Sequence, residues 1–193
     1  QDIVLGASLD NNILCIAEKS VVAMRQIEPQ LVQEMVKVGC VLIDNQQDIQ
    51  RLVDLTVLPN GTPNKKFVGK NASVILDAAH IPYNGDPRLI IMRTPKNHPF
   101  AVIEMLMPIL PVVTVDSFDE GIDVCLMLEA GLHHTATMHS LNMERLNRMA
   151  RKMKTSIFVK NGPSYAGLGF SGEGTTTFTI ATPTGESTTS ARC

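Results

Sequence analysis

Between Arg88 and Arg93 the chain places four large apolar residues in a row, Leu-Ile-Ile-Met. So short an apolar run, without alternation, fits a strand covered on both faces, as strands of a parallel sheet are. Parallel strands need long crossover connections, normally helices, and the flanking sequence supplies them. Apolar residues at helical spacing predict helices over 30–37 (Leu31, Val32, Met35, Val36) and 45–56 (Ile49, Leu52, Val53, Leu55). Further helices are expected over 72–79, capped by Asn71, over 117–130, with Ser117 and Glu120 as a capping box, and over 142–152. In the last, Met143, Leu146, Met149 and Ala150 are expected to face inward. Strands are expected over 20–24, 41–43, 88–93, 109–115, 135–139 and 156–159, and residues 1–8 read as the tail of a helix. Residues 100–106 read as a short helix or turn ended by Pro108. Strands alternating with helices of about ten residues predict an α/β fold: three αβα layers around a mostly parallel sheet.

After residue 161 the texture changes. Residues 162–174 are a Gly-rich loop, and 175–183 read as a Thr-rich strand alternating in period two, an edge or an arm. The chain opens at Gln1 without Met and stops at Cys193, from which we expect a piece of a longer protein.

Composition removes several function classes. A net charge of −2, with signs interspersed, gives no electrostatic case for nucleic acid or an anionic membrane surface. No apolar run approaches the roughly 20 residues of a membrane helix, and no signal peptide opens the chain. The four cysteines, Cys15, Cys40, Cys125 and Cys193, are widely spaced with no Cys-x-x-Cys pair, which argues against a zinc site or a disulfide framework.

Cys15 stands apart because of where it falls. Asp10, Asn11 and Asn12 disfavour continuing a helix, since their side chains compete for backbone hydrogen bonds. Val21, Val22 and Ala23 favour a strand, so Cys15 sits at a helix-to-strand junction where a sulfur can reach a cleft. A cysteine taken alone is more often a small buried hydrophobe.

The stretch Asp10-Asn-Asn-Ile-Leu-Cys-Ile-Ala-Glu-Lys19 resembles the nucleophile motif of the CoA-acylating aldehyde dehydrogenases of ethanolamine and propanediol utilisation. Two further blocks carry the resemblance. One is His98-Pro-Phe-Ala-Val-Ile-Glu-Met-Leu-Met-Pro-Ile-Leu-Pro111. The other is His133-His-Thr-Ala-Thr-Met-His-Ser140, continued by 155–163 and by Gly172-Glu-Gly-Thr-Thr-Thr. The resemblance implies a catalytic domain over 1–163 and an active-site loop with oligomerisation arm over 164–193, most of the NAD-binding domain lying upstream of Gln1. It implies NAD and coenzyme A as cosubstrates and a short aliphatic aldehyde as substrate. It implies a homodimer or homotetramer, in the cytoplasm or inside a bacterial microcompartment with its shell as a partner. Cys15 matches the nucleophile, and Glu104, in Glu-x-x-x-Pro108, matches the carboxylate that binds the nicotinamide ribose. By resemblance, Asn161 and Ser164 border the substrate tunnel, and His98 and His134 approach its mouth.

Other signals carry less. His133 and His134, if on a strand, point to opposite faces and cannot share one site. His80, His133 and His139 are expected in structural or loop roles, and Cys40 and Cys125 as inert core residues. The run 167–174 lacks the strand-to-helix context and the Gly-Lys-Ser/Thr of a phosphate loop, so it is expected to be a flexible active-site loop. The expected reaction is oxidation of acetaldehyde or propionaldehyde to its acyl-CoA through a thiohemiacetal and a thioester on Cys15. A hydrolytic aldehyde or semialdehyde dehydrogenase, or an oligomerisation module, are the alternatives. The 193-residue chain alone is expected to be inactive.

Overall fold

The structure, a computed structural model, describes residues 1–170. The helices are α1 (Asp2–Ser8), α2 (Glu28–Lys37), α3 (Gln46–Thr56), α4 (Ala72–Ala78), α5 (Pro99–Val102), α6 (Phe118–Glu129) and α7 (Met143–Met153). The strands are β1 (Val21–Met24), β2 (Cys40–Leu42), β3 (Leu89–Arg93), β4 (Ile109–Val115), β5 (Thr135–Met138) and β6 (Ile157–Lys160). Four strands form a parallel sheet in the order β1-β4-β3-β2, and β5 pairs with β6, also in parallel.

The unbroken apolar run of β3 is what two covered faces require. Ile90 and Met92 join Ile109 in a cluster with α3, α4 and α5, while Leu89 and Ile91 join Leu110, Val112, Val21 and Ala23 against α1 and α2. Leu89, Ile90, Ile91 and Met92 are all 0% exposed. Such burial of a Leu, Ile or Met stabilises by roughly 1.5–3 kcal/mol per side chain. The three-layer αβα arrangement expected from the sequence is present.

Local chemistry sets the ends of the elements. Ser117 Oγ accepts from Glu120 N (3.1 Å) at the start of α6, and Asn142 Oδ1 accepts from Arg145 N (2.9 Å) at the start of α7. Glu28 begins α2 nearly buried, and its carboxylate accepts from Arg93 Nε (2.8 Å), fixing that helix to the end of β3.

Several expectations are corrected. In α7 the buried positions are Leu146, Met149 and Met153, while Met143, one residue past the cap, is 61% exposed. The short helix or turn expected over 100–106 is a single helical turn that ends at Val102, so Glu104 lies in irregular chain. Within the Gly-rich stretch, Ser164–Leu168 forms a 3₁₀ turn. A Cβ on Gly167 would sit 2.2 Å from Ile157 Cγ2, so glycine there lets the turn close onto β6. The Thr-rich segment 175–183 and the block 172–177 lie outside the described residues. Among the described residues no helix is long and apolar enough to cross a membrane.

Candidate active site

Asp10, Asn11 and Asn12 do more than end α1. They adopt consecutive left-handed conformations, with φ of 48°, 53° and 65°. For residues other than glycine each such conformation costs roughly 1–3 kcal/mol and persists only where surrounding contacts over-determine it. Asn and Asp tolerate it best, because a short polar side chain can bond locally. Here the contacts are specific. Asn11 Nδ2 donates to Gly69 O (3.0 Å) and to Asn71 Oδ1 (2.8 Å). Asn71 stands at the cap position of α4 as expected, but its side chain makes no cap bond there. Asn12, 2% exposed, donates from Nδ2 to Ala7 O and to Glu18 O, both at 2.8 Å.

This left-handed turn throws Cys15 outward. Cys15 is exposed, while its neighbours Leu14 and Ile16 pack into a cluster with Ile157, Val159, Tyr165 and Leu168. The residue at the centre is thus free to react and the residues beside it are anchored. The other cysteines differ. Burial pushes the Cys40 thiol up to about 12 and the Cys125 thiol up to about 11, so neither supplies a thiolate at neutral pH.

Two residues of the motif given no role by the sequence reading hold the loop from beneath. Glu18 is 8% exposed, and its carboxylate accepts from Ser164 N (2.9 Å) and Ser164 Oγ (2.8 Å). Burial raises its pKa, opposed by the Ser164 bonds. Lys19 Nζ donates to Asn12 O (3.0 Å), Asn12 Oδ1 (2.9 Å) and Leu14 O (3.2 Å), and lies 3.8 Å from Glu104 Oε1. Burial lowers the Lys19 pKa, while the charges of Glu104, Cys15 and Glu18 raise it. Glu104, with a side chain 55% exposed, therefore stands beside the Cys15 loop. The signal in the sequence was the Asn and the Glu-Lys pair flanking the cysteine.

The remaining candidates divide. His134 lies within reach of the charges of Glu104, Lys19 and Glu129, and its Nδ1 is 2.8 Å from Thr135 Oγ1. It precedes β5, as does His133, whose φ is 51°, so the alternation argument made for a strand does not apply to them. His133 Nδ1 lies 3.4 Å from Met153 O. His98 caps α5: its Nδ1 accepts from Phe100 N (3.2 Å). Asn161 is committed to a clasp across the strand ends, accepting from Ser140 N (2.8 Å) and donating to Ser140 O (3.0 Å). Ser164 is 1% exposed, its hydroxyl spent on Glu18.

Burial holds the imidazoles of His98, His134 and His139 below 6.5. A base whose folded-state pKa is depressed contributes stability above its unfolded value and loses it as pH falls through the folded one. Unfolding free energy is therefore expected to drop between about pH 7 and about pH 5. His98→Asn keeps a cap acceptor that cannot be protonated, so it should show a smaller drop, as urea unfolding at the two pH values will measure.

Comparison with known proteins brings the geometry and a lineage together. No family model matches the chain. The propanal dehydrogenase (CoA-propanoylating) of Citrobacter freundii is 52% identical over 193 residues, covering 100% of this chain and 41% of that protein. The chain is a relative of the CoA-acylating aldehyde dehydrogenases. It spans about two-fifths of the length of the curated relatives it matches. The Rhodopseudomonas palustris propionaldehyde dehydrogenase, solved with bound CoA and an acylated cysteine, matches with a TM-score of 0.93 and 46% identity over 99% of this chain and 44% of its own. A propionaldehyde dehydrogenase of the Clostridium phytofermentans fucose-utilisation microcompartment matches with a TM-score of 0.92 and 43% identity, over 98% and 43%.

Proposed function

We propose that this chain carries the nucleophile of an enzyme oxidising a short aliphatic aldehyde, propionaldehyde or acetaldehyde, to its acyl-CoA. The observation that carries the reading is an exposed Cys15 on an anchored loop beside Lys19 and Glu104. The Cys15 thiolate attacks the aldehyde carbon, giving a thiohemiacetal on Cys15. Bound NAD would supply the hydride acceptor, and loss of hydride from the thiohemiacetal would leave a thioester on Cys15. The thiol of CoA then attacks the thioester carbonyl, and Cys15 departs as thiolate. Cysteine suits both halves, being a strong nucleophile and a good leaving group.

The residues present fit the cofactor. Glu104 is half-exposed, and a carboxylate has acceptor sites for two ribose hydroxyls besides its contact with Lys19. His134 lies within reach of the charges of Glu104 and Lys19, burial lowers its pKa, and on this reading it takes the proton of the incoming thiol. The same reading makes the whole protein a homodimer or homotetramer in the bacterial cytoplasm and, like the Clostridium phytofermentans relative, associated with a microcompartment.

The test is NADH formation by the complete enzyme with propionaldehyde, with and without CoA. Thioester formation that requires CoA is expected. An unchanged rate without CoA assigns a hydrolytic enzyme instead. Residues 1–193 alone are expected to give no turnover, since Glu104 is one ribose contact and not a cofactor site; NADH from that chain would refute this.

A further inference from the structure

Among the described residues, the cation that closes the loop presenting Cys15 is Lys19. Lys19 lies four residues after Cys15, and its ammonium reaches back to Asn12, three residues before it, and to Leu14, its immediate neighbour. An ammonium has three hydrogens. Three loop oxygens receive them: Asn12 O, Asn12 Oδ1 and Leu14 O. Asn12 is the last of the left-handed residues, and both hydrogens of its amide are already given to Ala7 O and Glu18 O. Its two oxygens are what Lys19 holds, so the conformation of Asn12 is gripped from both ends. With the hydrogens spent on the loop, the 3.8 Å approach of Glu104 Oε1 is a charge contact rather than a further hydrogen bond.

We propose that Lys19 is a positioning residue: it clasps the strained loop that presents Cys15, and through its charge it couples that loop to Glu104. Lys19 itself need not touch the aldehyde. It fixes where the sulfur stands and links the loop's rigidity to the carboxylate that faces it. The consequence for catalysis rests on the reading of Cys15 as the nucleophile, but the consequence for the loop does not.

Two measurements on the complete enzyme separate these parts. Lys19→Met keeps the aliphatic stem and removes the donors. Amide hydrogen exchange across 13–17 should accelerate at least about tenfold in this variant, with the amides of α2 and α3 unchanged. The kcat for aldehyde oxidation should fall about 100-fold while the aldehyde KM stays within about threefold, because a misplaced nucleophile loses rate rather than binding. Lys19→Arg, which restores charge but not the compact three-way donor, should lie between. Loop exchange within about twofold of the parent in Lys19→Met would overturn the clasp. Faster exchange with unchanged kcat would overturn its catalytic consequence. Should Lys19→Met fail to fold, the surface change Glu104→Gln still decides the coupling: exchange across 13–17 should quicken about two- to threefold, and no change would overturn it. A parent enzyme without dehydrogenase activity would sink the functional reading and leave the exchange result standing.

Discussion

On the proposed function, Cys15→Ala in the complete enzyme is expected to abolish the acyl-enzyme and lower turnover by at least about 10³-fold, because Cys15 holds the acyl chain between the two half-reactions. The comparison that gives this result meaning is with Cys40→Ala and Cys125→Ala. Those thiols are pushed to about 12 and about 11 by burial, so at neutral pH they are protonated and shielded. Cys40 packs among Met35, Leu89 and Ile91, and Cys125 against Phe118 and Met149. Incubation with propionyl-CoA should add one propionyl group to the peptide carrying Cys15, and hydroxylamine should remove it. The same mass shift should appear in the Cys40 and Cys125 variants. Acylation surviving in Cys15→Ala would assign the nucleophile elsewhere.

Much of this was readable from residues alone, for physical reasons. Layering followed from Leu89–Met92, because only a strand buried on both faces tolerates four consecutive large apolar side chains. The helix start at Ser117 followed from its side-chain cap, whose geometry is local and needs no tertiary partner. What could not be read depended on contacts across long stretches of chain. Asn71 occupies a cap position, yet its oxygen accepts from Asn11, sixty residues away. Asn161 joins strand ends through Ser140, twenty-one residues away, a bond that no local pattern announces. Glu104 was expected within a short helix or turn over 100–106; the helical turn stops at Val102, and the carboxylate reaches Lys19 from irregular chain. The left-handed run at Asp10–Asn12 was legible only as an end to α1; that it continues for three residues depends on Gly69, Glu18 and Lys19.

The second large effect belongs to Glu18, whose carboxylate is the link between the Cys15 loop and the turn at Ser164–Leu168. Gly6 of α1 packs so closely that a Cβ there would lie 2.1 Å from Glu18 Oε2, so the carboxylate has no room to move. Glu18→Ala would leave the N–H and hydroxyl of Ser164 buried without an acceptor, at about 1–3 kcal/mol each, and the expected loss in urea unfolding is about 2–4 kcal/mol. Glu18→Gln should behave differently, because it keeps an acceptor and discards the charge. Burial raises the Glu18 pKa above its ordinary 4.5, so the folded state prefers the protonated form. A carboxyl raised in this way contributes stability below its unfolded pKa and loses it as pH rises through the folded value. Relative to the parent, Glu18→Gln should therefore gain stability as pH rises from 4.5 through the folded-state value, whereas Glu18→Ala should be weaker at every pH. If the difference between Gln and parent is flat with pH, the buried carboxylate is not the group that titrates. If Glu18→Ala is as stable as the parent, the Glu18–Ser164 bonds do not hold the loop in place.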